Sequence, residues 1–311
     1  MDSYTESYMI KERSKYLNPQ IDGSYCIGSK NECLDLVEEG YVRIPWGEVP
    51  SKEDYDKINR LILLPTASQL KKFKFPDFIK DLSQLQHLSI PFSLVTFLNK
   101  ETIPASVKNL MLTNNYEHSV LFDDLKAHVF DPVFINFNAL GFLGDYYDSG
   151  KDSLLNIDVL VLQNLEYLRC YIDKKGLVLE EIKKMKNLNY LELAHVYGFD
   201  IFEHIHGSLR ILSITDTNKQ FKIDHINRLT QLKILHLNGV KGEIDCSVFL
   251  DLPNLQEIII HNSKKLKNVE KLLECKNLKS LEIVNCGTPL KKEGKALFQN
   301  HGFERLDIDY S

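Results

Sequence analysis

The strongest constraint on this chain is a beat. The phrase apolar-x-x-apolar-x-apolar returns at Leu165/Leu168/Cys170, Leu188/Leu191/Leu193, Leu209/Leu212/Ile214, Leu232/Leu235/Leu237, Leu255/Ile258/Ile260 and Leu278/Leu281/Ile283. The starts lie 23, 21, 23, 23 and 23 residues apart. The phrase also occurs at Leu85/Leu88/Ile90 and Val107/Leu110/Leu112, and it closes the chain at Phe303/Leu306/Ile308. Ile58/Leu61/Leu63 and Phe130/Val133/Ile135 fit it more weakly, for eleven candidate units in all. A repeat this short cannot bury its apolar side alone, so the units must stack into one continuous core. A doubly wound α/β sheet is excluded by the spacing, because its βαβ unit takes about 30 residues or more. No G-x-G-x-x-G follows any of the phrases.

Units of this length carrying this phrase resemble leucine-rich repeats, over roughly 58–310. The resemblance implies an α/β fold: a curved leucine-rich-repeat solenoid. Each phrase would be a short parallel strand on the concave face, with short helices or irregular segments returning along the convex face. Two such segments, 173–187 and 263–277, read as short amphipathic helices; in the first, Leu179, Ile182 and Met185 recur at helical spacing. The family often places Asn or Cys three residues after the last apolar position of the phrase. Here Asn115 and Cys286 do so, but Ser93, Asp173, Val196, Thr217, Val240 and Ser263 stand elsewhere, so a continuous asparagine ladder is missing. Residues 1–57 read as an N-terminal capping segment, and 58–311 as an array of about ten to eleven units. An insertion near 138–152 carries the adjacent pair Tyr146 and Tyr147, and such loops often hold functional residues.

Composition narrows the function classes. The net charge of −5 gives no basic face for nucleic acid. Apolar runs are too short to span a membrane, and the first residues lack a secretory h-region, so the expected location is cytoplasmic. The six cysteines form no C-x-x-C pair and read as reduced, structural residues. His204 and His206 sit on a returning segment and read as surface or capping residues rather than metal ligands. The nine lysines of 264–295 interleave with core leucines and read as a solvated convex face. No H-E-x-x-H, G-x-S-x-G or phosphate-binding loop is present. No cofactor and no metal are expected.

Between the apolar residues of each phrase lie residues that should point outward from the sheet. The middle units then present Tyr167, Arg169, Tyr171, Tyr190, Glu192, Ile211, Ile234 and His236, with Phe134 in an earlier unit. Tyr and Arg are enriched in binding hot spots, and the acids along the flank favour a basic partner. The expected function is therefore a non-enzymatic protein-protein interaction module, monomeric when free. A bacterial immunity-type protein that neutralises a toxin with a basic face is the first form of that reading. A recognition subunit or an effector is the second. An enzyme whose site is supplied by 1–57 or 138–152 is the alternative from another class.

Overall fold

The computed structural model describes residues 7–17, 22–113, 137–143, 162–173, 175–198, 200–287 and 292–308. They fall into two compact units: 14–167, and 168–308 together with the residues up to Arg13. A short helix, α1 (Tyr8–Ser14), precedes the first strand.

In 14–167 the strands are β1 (Ser24–Gly28), β2 (Val42–Ile44), β3 (Arg60–Leu64), β4 (His87–Pro91), β5 (Asn109–Thr113) and β6 (Ala139–Leu143). All pair in parallel, in the order β2-β1-β3-β4-β5-β6. The apolar positions of the phrase supply the core: Leu61, Leu63, Leu88, Ile90, Leu110, Leu112, Leu140 and Phe142 are all buried. Returning segments are brief. They include α2 (Leu34–Glu38), α3 (Lys52–Tyr55), α4 (Ala67–Leu70) and 3-10 turns at Asp77–Asp81 and Phe92–Phe97. The segment read as an N-terminal cap contributes β1 and β2, with β2 at the sheet edge.

The structure corrects the insertion. β5 pairs directly with β6, Asn109 opposite Ala139 and Leu112 opposite Phe142. The phrase read at Phe130/Val133/Ile135 lies outside the described residues. The phrase that continues the sheet is Phe137/Leu140/Phe142, all buried. Its spacing matches, but Gly141 holds the outward position and made the segment look like a turn. The rest of the stretch read as an insertion, with Tyr146 and Tyr147, lies outside the described residues, as does Phe134.

In the other unit β7 (Tyr167–Tyr171), whose first residue ends 14–167, is followed by β8 (Tyr190–Ala194), β9 (Ile211–Thr215) and β10 (Ile234–Asn238). A two-residue strand, β11 (Ile244–Asp245), comes before β12 (Glu257–His261) and pairs with β13 (Leu266–Lys267). β14 (Ser280–Val284) and β15 (Arg305–Ile308) complete the main sheet. β8, β9, β10, β12, β14 and β15 pair successively in parallel. Each chain exit from these strands is the same device. His195, Asp216, Gly239, Asn262 and Asn285 follow β8, β9, β10, β12 and β14 with φ between 51° and 66°. Gly, Asn, Asp and His tolerate this left-handed conformation best. The N–H groups of the first four donate to the last carbonyl of the next strand, at 2.9–3.1 Å. The sheet ladder thus gains one more rung before the chain turns. Side chains add a second string, Asn285 Nδ2 to Asn262 Oδ1 and Asn262 Nδ2 to Asn238 Oδ1 at 2.8 Å.

The position where the family often carries asparagine is served by smaller groups. Thr217 Oγ1 accepts from Lys241 N, Ser263 Oγ accepts from Val240 N, and Cys286 Sγ donates to the Ile260 carbonyl. All three side chains are buried, so hydroxyls and a thiol tie successive turns in this half. The returning segments also differ in part from expectation. 173–187 contains α5 (Leu177–Ile182) as read, but 263–277 holds β13 and a 3-10 turn at Val269–Glu274 in place of an α-helix. A 3-10 turn rises about 2.0 Å per residue against 1.5 Å, so it covers the return in fewer residues. The last helix, α6 (Lys292–Gln299), precedes β15. All six cysteines are free and buried.

Candidate functional site

Strand alternation in 168–308 sends Leu191, Leu193, Leu212, Ile214, Leu235, Leu237, Ile258 and Ile260 into the core, each at most 1% exposed. The intervening residues face the other way: Arg169 and Tyr171, Tyr190 and Glu192, Ile211 and Ser213, Ile234 and His236, Glu257 and Ile259. This is the face expected to stand open. It does not. Tyr190 is 1% exposed, Ile234 5%, Ile211 6%, Glu192 7% and Glu257 0%. Arg169 and His236 keep partial exposure.

The chain's own beginning covers this face. Met9, buried on α1, donates its backbone N–H to Glu257 Oε2 at 2.8 Å, and Ser7 Oγ donates to the same oxygen at 3.2 Å. Glu257 Oε1 accepts from Ser280 Oγ at 2.8 Å, so the carboxylate is shared between sheet and segment. At the other end of α1, Arg13 Nε lies 3.0 Å from Glu192 Oε1. Tyr8 Oη donates to Glu304 Oε2 at 2.6 Å. Glu257 and Glu192 belong to β12 and β8, three strand steps apart, or roughly 14 Å at about 4.8 Å per step. α1 therefore crosses the strands, anchored by a carboxylate at each end with Met9 between. The physical reason for the correction is the apolar surface: Tyr171, Tyr190, Ile211, Ile234 and Ile259 lose water when covered, while Ser7, the Met9 N–H and Arg13 offset the cost of burying the two carboxylates beside them.

The same logic holds in 14–167, described by itself. Tyr167 is fully buried, and Tyr16 stacks on it with centroids 5.0 Å apart and planes 17° from parallel. Tyr16 Oη also donates to Glu166 Oε2 at 3.4 Å. Tyr167 was read as an exposed hot-spot residue and is instead the floor of a ring stack.

Electrostatics on the covered face are organised around acids. Glu192 faces two arginines, Arg13 and, at 3.7 Å, Arg169. Glu282 accepts from His261 Nε2 at 2.6 Å and pairs with Arg305; the His261 hydrogen bond chiefly holds its carboxyl below the usual range. His236 bonds Ser213 Oγ at 2.8 Å. Burial first, then the neighbouring His261 and Arg13, depress its pKa to about 4, so it is neutral at pH 7. Burial pushes the Cys170 thiol far up, which leaves it unreactive. Tyr171 packs against the His195 ring at 5.5 Å.

Among the described residues, no group of three or more His, Cys, Asp or Glu could hold a metal ion. His204 lies 3.3 Å from Glu180 and His206 is exposed, so the H-I-H pair forms no ligand set with a third group. No helix among the described residues is long and apolar enough to cross a membrane.

Ser7, Met9, Arg13 and Glu257 are the face's most consequential contacts, and sequence reasoning missed the first three. The available signal was weak: S-Y-M-I-K-E-R places one apolar anchor and one arginine four residues apart, on one side of a helix.

No family model matches the chain. Volume-regulated anion channel subunit LRRC8D, from rat and from human, is 26% identical over 131 residues. That stretch is 39% of this chain and only 15% of the length of those relatives. Among solved structures, an internalin (inlF) of Listeria monocytogenes is similar over 90% of this chain and 94% of its own, at 15% identity and a TM-score of 0.43. A Leptospira interrogans leucine-rich-repeat protein is similar over 90% of this chain and 99% of its own, at 15% identity and a TM-score of 0.31.

Proposed function

We propose that this leucine-rich-repeat chain is a protein-binding module, and that its partner site is the outward face of 168–308. Arg169, Tyr171, Tyr190, Glu192, Ile211, Ile234 and His236 would form it. One observation carries the reading: this face already holds a polypeptide segment, α1, through a buried apolar residue and charged hydrogen bonds. Apolar anchors ringed by oriented polar groups are the ordinary chemistry of protein recognition. Nothing in the reading requires catalysis, and the groups on the face are paired for binding.

The finer form is an immunity-type role in which the partner is a toxin with a basic face. What supports it is the sign of the face: Glu192, Glu257 and Glu282 all lie on it, and all three already pair with arginines. Tyr146, Tyr147 and Phe134 remain additional proposed contacts from the sequence pattern. The test is parallel affinity capture from the native cytosol with wild-type, Arg169→Ala and Glu192→Arg chains as bait. A partner retained by wild type and lost from both variants, with unchanged melting curves, supports the reading. Equal capture by all three moves the site off this face. A captured protein whose toxicity is relieved by co-expression of this chain would establish the finer role.

A further inference from the structure

Residues 7–13 are joined to the face at few points. Met9 is the apolar residue of α1 buried there, while Ile10 on the same helix is 54% exposed. Arg13 keeps 39% of its side chain in solvent although its partner Glu192 has only 9%. Seven helical residues are too few to persist as an isolated helix in water, so α1 owes its form to the face beneath it. The two anchors on the sheet side are of the opposite character. Glu257 is completely buried, fixed by Ser280 Oγ, and Arg305 lies 3.8 Å away; Glu192 is held beside Arg169. The receptor side is buried and paired within the sheet, and the occupant is short and half exposed.

We infer that residues 7–13 are a resident ligand of this face, and that the partner engages it by displacing them with a short basic amphipathic helix of its own. The required chemistry follows from the contacts. The incoming helix needs free N–H and hydroxyl donors at its start for Glu257. It needs one unbranched apolar side chain for the slot filled by Met9, two residues after the hydroxyl and on the residue whose N–H donates. It needs an arginine about four residues further on for Glu192, where a planar guanidinium matches a carboxylate better than lysine does. This rests on the proposal that the face binds protein. It adds the form of the ligand and the competition with the chain's own segment. A competed site binds with its intrinsic affinity reduced by the fraction of time it stands open.

The test uses the full-length chain and a fluorescent peptide of residues 7–17 as the probe. Arg13→Glu in the chain sets its own segment against Glu192 and should open the face. The peptide should bind that chain at least ten-fold more tightly than wild type. The same peptide carrying Arg13→Glu should bind neither chain. It should regain binding to a chain carrying both Met9→Asp and Glu192→Arg, where the chain's own Arg13 is set against an arginine and leaves the face open, and the peptide's glutamate meets that arginine. Met9→Asp is the second opening variant, and circular dichroism melts confirm that each chain is folded. Equal peptide affinity for wild type and both opened chains would overturn the inference, as would no binding to either opened chain. Those failures are separate from that of the proposed function, which is read by capture with Arg169→Ala and Glu192→Arg.

Discussion

The two halves of this molecule solve the same packing problem with different regularity. In 168–308 the strands that open at Tyr190, Ile211, Ile234, Glu257 and Ser280 keep a spacing of 21 or 23 residues. In 14–167 the strands that open at Arg60, His87, Asn109 and Ala139 are 27, 22 and 30 apart. The difference tracks the residue that follows the strand. The regular half leaves its strands through His195, Asp216, Gly239, Asn262 and Asn285, all left-handed, whereas β3 is followed by Pro65 and β4 ends on Pro91. A left-handed residue turns the chain at once and lets its N–H add a rung to the ladder. Proline has no N–H to add and favours an extended or 3-10 exit. β4 is followed directly by the 3-10 turn Phe92–Phe97. Uniform turns give uniform units, and uniform units give a well-registered receptor face.

The largest effect should not distinguish the halves. Leu235→Ala and Leu110→Ala each empty a position that is 0% exposed, and each should cost about 2–5 kcal/mol in denaturant unfolding. A loss confined to one substitution would show that only one half has a fully packed core.

Acid should also act on both. His87 and His236 are both depressed to about 4, mainly by burial, with Arg60 adding to the first. A depressed histidine contributes stability that is complete above the unfolded value of about 6.5 and lost as pH falls towards 4. Each should therefore steepen the loss by at most about 1.4 kcal/mol per pH unit in that window. His236→Gln should flatten the slope of melting temperature against pH, and His87→Gln should do the same independently. The His236 proton also arrives beside Arg13, so acid should loosen α1 as well.

Smaller and specific to the regular half is Asn262→Val. A β-branched residue at φ 51° should cost about 1–3 kcal/mol, while Asn262→Gly should stay within a few tenths. If valine and glycine melt alike, the left-handed exits are not what sustains the beat. Smallest is Val42→Lys, on the edge strand of the other half, where the side chain is 52% exposed. Monomer stability should move by less than about 0.5 kcal/mol. Any self-association at high concentration, followed by sedimentation, should fall, because lysine blunts an open sheet edge.

Strand positions were legible wherever the phrase carried Leu or Ile at its apolar places, and the parallel register from β8 to β15 follows the spacing directly. β6 was missed because Gly141 broke the alternation and a competing phrase stood seven residues earlier. The outward orientation of Tyr190, Glu192, Ile211 and Ile234 was also readable. Their burial was not. It depends on Ser7 meeting Glu257 across 250 residues, and no periodicity encodes a contact of that range. The left-handed exits were in plain sight as N, D, H and G after each phrase, yet each of those residues is common in loops of every kind.

The cover over the regular half is the point on which the rest depends. Hydrogen exchange at the Met9 amide, followed in the full-length chain at neutral pH, reads it at a single atom. With that N–H donated to the buried Glu257 carboxylate, exchange should be at least ten-fold slower than in the free 7–17 peptide, and Glu257→Gln should remove much of the protection. Exchange at the free-peptide rate in the wild-type chain would mean that the face stands open.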